Sequence, residues 1–119
     1  MNNPSAFVIE DDKNLALAFA EAVRDADYDV EVIYDGEIAK ARLIESPPTL
    51  VILDLHIPHA GRTEILSLIN SDARFVNTRV IVASADAISA DELQNDADLV
   101  LLKPVGFRQL RDMATRLRP

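Results

Sequence analysis

Cysteine is missing from the sequence, and so are long apolar runs and an excess of basic residues. Without cysteine, neither a disulfide nor a thiolate metal site can form, and a reducing compartment is expected. No apolar stretch approaches the roughly 20 residues of a membrane helix. The N-terminal residues 1–4 also lack the basic and apolar parts of a signal peptide. We therefore expect a cytoplasmic protein that makes no membrane contact.

The charge balance is acidic, with 12 Lys and Arg against 20 Asp and Glu and a formal net charge of -8. This balance argues against direct nucleic-acid binding by this chain and favours a cation as its ligand. The chain has 119 residues, 49% of them apolar, which is enough to bury one core without disulfides. We expect a single domain over residues 1–119.

Glycine is scarce as well, with three residues in the whole chain, and no glycine-rich loop follows the first apolar run. Dinucleotide sites and P-loops need glycines where the backbone approaches a phosphate. Their absence counts against both kinds of nucleotide site.

Five short runs rich in apolar residues predict β-strands. They cover residues 6–9, 29–32, 50–53, 79–83 and 99–102. Four of them are nearly continuous apolar runs, which is typical of strands buried on both faces of a parallel sheet. The second run alternates polar and apolar residues, and it is therefore predicted to lie at an edge.

Helical spacing of apolar residues predicts helices between the strands and after the last one. Asn14 is predicted to cap the first helix, and Asp35 with Gly36 to open the second. The second helix is predicted to bury Ile38, Ala41 and Ile44, and the third to run from about residue 62 to 70. A short fourth helix is predicted over residues 89–95. The inner face of the last helix is predicted to contain Phe107, Leu110, Ala114 and Leu117.

The strict alternation of strands and helices predicts an α/β protein with a doubly wound, five-stranded parallel sheet and right-handed crossovers. The edge character of the second strand favours the strand order 2-1-3-4-5. This order is that of a flavodoxin-like (βα)5 fold.

Polar residues follow four of the five strands. They are Glu10 and Asp11, Asp54, Ser84, and Lys103. Because the carboxyl ends of parallel strands meet at one edge of a sheet, we expect these side chains to converge there. Neighbouring strands lie about 4.8 Å apart, so each pair of like charges costs about 3 to 4 kcal/mol at an effective dielectric near 20.

Magnesium is the cation that suits such a group of carboxylates, since it takes a few carboxylate oxygens, a carbonyl and several waters. The simpler interpretation is that the acids face solvent, or that one of them is protonated. A carboxylate beside a metal can attack a phosphoryl group and form an acyl phosphate. Lys103 can then supply positive charge to the phosphoryl oxygens, and the hydroxyl of Ser84 can supply a hydrogen bond.

These residues resemble the receiver domain of bacterial two-component response regulators over the whole chain. The likeness depends on the acidic residues 10–12, the run around Asp54 that ends at Pro58, Ser84, and Lys103 with Pro104. The resemblance implies that Asp54 accepts a phosphoryl group from a histidine kinase or phosphotransfer protein. It also implies magnesium held by Glu10, Asp11, Asp54 and the backbone carbonyl of His56. Pro104 would be the cis proline of the family.

One position departs from the family pattern. The family usually has an aromatic residue three before the lysine, and this sequence has Val100. The family's coupled switch between that aromatic side chain and the hydroxyl on strand four is therefore not expected to operate in its usual form. The phosphoryl chemistry itself does not depend on Val100.

Two other functions are compatible with the sequence. A receiver-like interaction module could bind a partner without phosphorylation, since Val100 and the short fourth helix alter the signalling face. A phosphatase with an aspartyl nucleophile would resemble the haloacid dehalogenases, but it needs a second acid two residues after the nucleophile, where His56 stands.

His56 and His59 could also form a metal pair, although no further ligands accompany them. The downstream partner, or an output domain, is not identified by the sequence.

Overall fold

The computed structural model describes residues 3–59, 63–86 and 91–119. Within these ranges, strands and helices alternate along the chain. The strands are β1 (Ser5–Ile9), β2 (Asp29–Ile33), β3 (Leu50–Asp54), β4 (Arg79–Ser84) and β5 (Leu99–Leu102). The helices are α1 (Lys13–Asp25), α2 (Gly36–Glu45), α3 (Glu64–Ser71) and α4 (Phe107–Arg116), with a 3-10 turn at Ala73–Phe75. The predicted short helix begins at Ser89, which lies outside the described residues.

The five strands form one parallel sheet in the order β2-β1-β3-β4-β5, as the sequence predicts. Every residue of the central strand β3 is buried, because both faces of the sheet are covered. In β2 only Ile33 is buried, which agrees with its edge position. The predicted doubly wound α/β fold is therefore confirmed.

Alternate residues of β3 point into two separate cores, as the period of a strand requires. Val51 and Leu53 pack in the core under α2 and α3. Leu50 and Ile52 pack in the core under α1 and α4. A strand that is apolar on both faces is thus held between two helical layers, and its last residue, Asp54, is fixed at the edge of both cores.

The start of α1 corrects one prediction. The N-cap is Asp12, whose Oδ1 accepts a hydrogen bond of 3.0 Å from the backbone N–H of Leu15, and Asn14 lies inside the helix. Both residue types cap helices well, and the helix simply begins two residues earlier than the apolar spacing indicated. Asp12 is consequently engaged in capping rather than in the neighbouring acidic group.

The predicted inner face of α2 is wrong, and that of the last helix is partly wrong. In α2 the buried side chains are Ala39 and Leu43, while Ala41 is exposed and Ile38 and Ile44 are 57% and 47% exposed. In α4, Leu110 and Ala114 are buried as predicted, but Phe107, in the first turn of the helix, is 45% exposed. The helices are correctly placed, and packing selects which of their apolar stripes is covered.

A buried hydrogen bond joins two distant parts of the chain. The hydroxyl of Tyr28, just before β2, donates to the backbone carbonyl of Ala114 at 2.8 Å. Ala114 lies in the last turn of α4, where carbonyls lack their usual intrahelical donor. Tyr28 therefore ties the C-terminal helix to the edge of the sheet.

None of the helices in the described ranges has the length and apolar character needed to span a bilayer.

Candidate functional site

The site is built at the carboxyl ends of β1 and β3, which are adjacent parallel strands. Ile9 pairs with Leu53 in the register, so the residues that follow them, Glu10 and Asp54, come side by side. The backbone N–H of Glu10 also donates to the carbonyl of Ile33 at 3.0 Å, which continues the pairing with β2 for one more residue. The position of both carboxylates thus follows directly from the apolar runs before them.

Three carboxylates meet at this edge, as predicted. Ligand oxygens of Glu10, Asp11 and Asp54 all lie within 4.8 Å of one another. Glu10 and Asp54 are 1% and 4% exposed, whereas Asp11 is exposed. Two of the acids are thus almost fully desolvated, which is costly for charged groups unless an opposite charge compensates.

Lys103 supplies part of that opposite charge. Its Nζ lies 2.9 Å from Oε1 of Glu10 and 3.6 Å from Oδ1 of Asp54. Its backbone N–H donates to the carbonyl of Ser84 at 2.8 Å, and this bond fixes the residue at the end of β5. The peptide bond between Lys103 and Pro104 is cis, as the resemblance implies.

The raised pKa of Glu10 indicates that Lys103 alone does not offset the negative charge of the buried carboxylates. Burial raises the pKa of Glu10 to about 7, the hydrogen bond from Lys103 opposes this, and the charge of Asp54 adds to it. Burial acts to lower the pKa of Lys103, but its hydrogen bond to Glu10 and the charge of Asp54 outweigh burial, so that the lysine stays charged. When no metal is bound, Glu10 therefore keeps its proton to a much higher pH than an ordinary glutamate does.

A hard divalent cation fits this arrangement. The donors are carboxylate oxygens that lie within 4.8 Å of one another. The raised pKa of Glu10 shows that the negative charge of this group is only partly offset, and a divalent cation would offset it more fully. One acid is exposed, so water can reach the group. The alternative that the acids merely face solvent does not hold for Glu10 and Asp54, although the alternative of a protonated acid agrees with the raised pKa of Glu10.

Ser84 lies in the site region, but its hydroxyl is engaged elsewhere. The side chain is fully buried, and its Oγ donates to the carbonyl of Asp86 at 3.3 Å and accepts from the N–H of Asp86 at 3.1 Å. In the register, Asp54 lies opposite Ala83, one residue before Ser84. The hydroxyl is therefore near the strand end but closes a tight turn after β4.

His56 contacts the site through its backbone. Its N–H donates to Oδ1 of Asp54 at 3.0 Å, which orients the carboxylate, while its side chain is exposed. The ring of His59 does not turn toward His56 but pairs through Nδ1 with Oδ1 of Asp35. The pairing of His59 with Asp35 was not predicted from the sequence, because the two residues lie 24 positions apart and no motif connects them.

Val100 lies on the face of β5 that is turned toward α2 and α3. It is half-buried, pairs with Val82 in the register and packs against the core under α2 and α3. The aliphatic side chain of Val100 thus contributes to packing of the core.

The comparisons with known proteins agree with this geometry. The family model for the response regulator receiver domain matches residues 6–115. The response regulator ArlR of Staphylococcus saprophyticus is 27% identical over 106 residues, which cover 87% of this chain and 47% of that protein. The DNA-binding response regulator MtrA of Mycobacterium tuberculosis is 29% identical over 104 residues, covering 87% of this chain and 45% of that protein.

Solved structures are similar as well. The receiver domain of the Francisella response regulator 1452 has a TM-score of 0.81 at 26% identity, covering 97% of this chain and 96% of that one. The chemotaxis response regulator CheY4 of Vibrio cholerae has a TM-score of 0.84 at 18% identity, over 98% and 99% of the two chains, and shows likeness of fold.

The fold and the acidic site define a regulatory domain of two-component signalling. The chain belongs to the response regulator receiver domain family. It spans about half the length of the curated relatives that it matches.

Proposed function

We propose that Asp54 is the phosphoacceptor of this receiver domain and takes its phosphoryl group from the phosphohistidine of a histidine kinase or phosphotransfer protein. The observation that carries the proposal is the contact of Lys103 with both Glu10 and Asp54, at 2.9 and 3.6 Å. A fixed cation beside a buried carboxylate is suited to charge that develops on a transferring phosphoryl group.

In the transfer, a carboxylate oxygen of Asp54 forms a bond to phosphorus while the bond from phosphorus to the imidazole nitrogen breaks. The imidazole keeps the electron pair of that bond, and the product is an acyl phosphate on Asp54. The N–H of His56, 3.0 Å from Oδ1, fixes the plane of the carboxylate, and Lys103 receives the phosphoryl oxygens. When water attacks the phosphorus, the bond from phosphorus to the oxygen of Asp54 breaks, inorganic phosphate leaves and the free carboxylate is restored. We propose that the domain catalyses only its own phosphorylation and dephosphorylation.

Magnesium is the proposed cofactor, with Glu10, Asp11, Asp54 and the carbonyl of His56 as its ligands. When bound, it would neutralise the carboxylates and draw electron density from a phosphoryl oxygen. The grouping of three acids and the raised pKa of Glu10 support this assignment. Deprotonation of Glu10 on metal binding would then release a proton.

We further propose that residues 1–119 form one receiver domain whose phosphorylation alters a surface for a downstream protein or an output domain. Relatives of about twice this length include a protein named as a DNA-binding response regulator. The charge of -8 makes this chain itself unsuited to contact DNA directly. A receiver-like module that works without phosphorylation has less support, because the acidic group and the lysine are both in place.

Intact-mass spectrometry with acetyl phosphate and magnesium tests the proposal. We expect one added phosphoryl group on the wild type and none on Asp54→Asn or in EDTA. Asp12→Asn is the matched control, since asparagine keeps the N-cap of α1 and the variant should be phosphorylated like the wild type. Absence of an adduct on the folded wild type, or an equal adduct on Asp54→Asn, would overturn the proposal.

A further inference from the structure

The loop after β3 is tied to the N-terminus of α2 at two adjacent residues. The carbonyl of Pro58 accepts a hydrogen bond of 2.8 Å from the backbone N–H of Gly36. The ring of His59 pairs through Nδ1 with Oδ1 of Asp35. Both contacts join the phosphoacceptor loop to a helix that contributes no residue to the acidic site.

Asp35 uses its two carboxylate oxygens for different partners. Oδ2 accepts from the backbone N–H groups of Glu37 and Ile38 at 2.9 and 3.0 Å, and this caps α2. Oδ1 is left to pair with His59. Because the cap holds the carboxylate in one orientation, the position of Oδ1 is fixed before His59 binds to it.

The backbone of His59 needs such a contact. Its φ angle is 64°, the left-handed region that side chains with a Cβ rarely adopt. Residues in this conformation persist where the surroundings hold them in place. The ring is 74% exposed and gains little restraint from packing, so the pairing with Asp35 contributes to holding the residue in place.

The restrained end of the loop lies close in sequence to Asp54. Leu55 and Ile57 are buried, at 2% and 5% exposure, and anchor the first part of the loop in the core. The N–H of His56, between these anchors, is the group that orients Asp54. The contacts at Pro58 and His59 therefore complete a chain of fixed positions that starts at the carboxylate.

We propose that His59 and Asp35 form a proton-sensitive latch that positions the loop after β3, and through it the backbone around Asp54. His59 is thus a positioning residue, and its role in phosphoryl transfer rests on the proposed function of Asp54. The titratable and charged groups that face His59 from α2 are Asp35 and Glu37, and Lys40 pairs with Glu37 one turn further along.

The latch is closed while His59 is protonated. The hydrogen bond to Asp35, its charge and that of Glu37 raise the pKa of His59 above its ordinary value of 6.5. The hydrogen bond from His59 lowers the pKa of Asp35. The ion pair is therefore present below the raised pKa of His59, and it weakens as pH rises through that pKa.

The first test measures the pKa of His59 directly. We expect NMR titration to show that Asp35→Asn returns the pKa of His59 toward its ordinary value, while asparagine still caps α2. We also expect hydrogen exchange of the Gly36 amide to become faster in His59→Gln, because the loop that accepts from it is released. An unchanged pKa of His59 in Asp35→Asn would overturn the proposal, whether or not the protein can be phosphorylated.

The second test measures phosphorylation by acetyl phosphate between about pH 6 and 9, a range chosen around the ordinary pKa of histidine. We expect the wild-type rate to fall about two- to fivefold across the titration of His59, as for the loss of one exposed ion pair. His59→Gln should show the lower rate throughout, and His59→Lys, which stays charged, should keep the higher rate.

Glu10, whose pKa is raised to about 7, remains in every variant. The effect of the latch is therefore the ratio of the wild-type rate to the His59→Gln rate at each pH, and a ratio that stays constant over the range counts against the latch. Equal rates for His59→Gln and wild type across the range would overturn the positioning role. If the wild type takes up no phosphoryl group at all, the proposed function of Asp54 fails, and the latch is then decided by the pKa of His59 and the exchange of Gly36.

Discussion

The Nζ of Lys103 lies 2.9 Å from Oε1 of Glu10, although the two residues are 93 positions apart in the sequence. Glu10 is almost completely buried and Lys103 is 22% exposed, so the pair lies on the boundary between the core and the solvent. Lys103 also contacts Asp54, and one cation thus faces two desolvated acids. This excess of negative charge, and the contacts that hold the surrounding elements, should determine how the domain responds to substitution and to pH.

Removal of the lysine charge should destabilise the metal-free domain. In Lys103→Met, Glu10 and Asp54 remain buried without their counter-charge, and we expect a loss of about 2 kcal/mol in the free energy of unfolding. Urea unfolding in EDTA at neutral pH measures this. Arg108→Met, at an exposed position of α4, is the control and should stay within about 0.5 kcal/mol of the wild type. Equal effects of the two substitutions would contradict the prediction.

The raised pKa of Glu10 should make metal-free stability depend on pH. The folded state binds the Glu10 proton more tightly than the unfolded state, whose pKa is near 4.5, so stability should fall as pH rises from about 4.5 to about 7. The expected decrease is on the order of 3 kcal/mol, at about 1.4 kcal/mol for each pH unit between the unfolded and the folded pKa. Other acids also titrate, so the quantity to measure is the difference between wild type and Glu10→Gln in EDTA. A difference that is constant over this range would show that Glu10 is not perturbed.

Magnesium affinity should depend on Asp11 and not on Asp12. Asp11 belongs to the group of oxygens within 4.8 Å, while Asp12 caps α1. We expect Asp11→Asn to weaken magnesium binding by about tenfold or more, because a charged ligand is lost. Asp12→Asn keeps a good N-cap and should bind like the wild type. Isothermal titration calorimetry compares them, and the reverse order of affinities would show that the ligands are misassigned.

The hydroxyl of Tyr28 should contribute to stability without affecting phosphorylation. In Tyr28→Phe, the carbonyl of Ala114 loses its donor in a buried position, which should cost about 1 to 2 kcal/mol. Tyr34→Phe is the matched control, since Tyr34 is 38% exposed and should change the free energy of unfolding by less than about 0.5 kcal/mol. Thermal unfolding measures both variants. A larger loss for Tyr34→Phe would contradict the role of the hydrogen bond.

The sheet could be predicted from the sequence because its strands follow from the local pattern of apolar and polar residues. Continuous apolar runs form the buried strands, the alternating run forms the edge, and these two facts give the order of the sheet. The convergence of Glu10, Asp11, Asp54 and Lys103 then follows from parallel pairing. No statement about side-chain packing is needed for either result.

Other features depend on contacts that the sequence does not encode locally. In α2, Ile38 and Ile44 form an apolar stripe, but the sheet covers the stripe of Ala39 and Leu43, and only packing selects between them. The pairing of His59 with Asp35 requires the left-handed backbone of His59 and the capped orientation of Asp35. The raised pKa of Glu10 results mainly from its burial, and a sequence motif does not show how deeply a side chain is buried.

The turn after β4 carries a further consequence for signalling. Ser84 Oγ has a single hydrogen, and here it is directed to the carbonyl of Asp86. The same hydrogen cannot also be donated to a phosphoryl oxygen on Asp54. The proposed phosphorylation of Asp54 would therefore compete with this turn for one hydrogen-bond donor, and the competition needs no aromatic side chain at position 100. Under this proposal, a domain with Val100 would transmit a change at Asp54 to the turn Ser84–Asp86 by exchange of one hydrogen-bond partner for another.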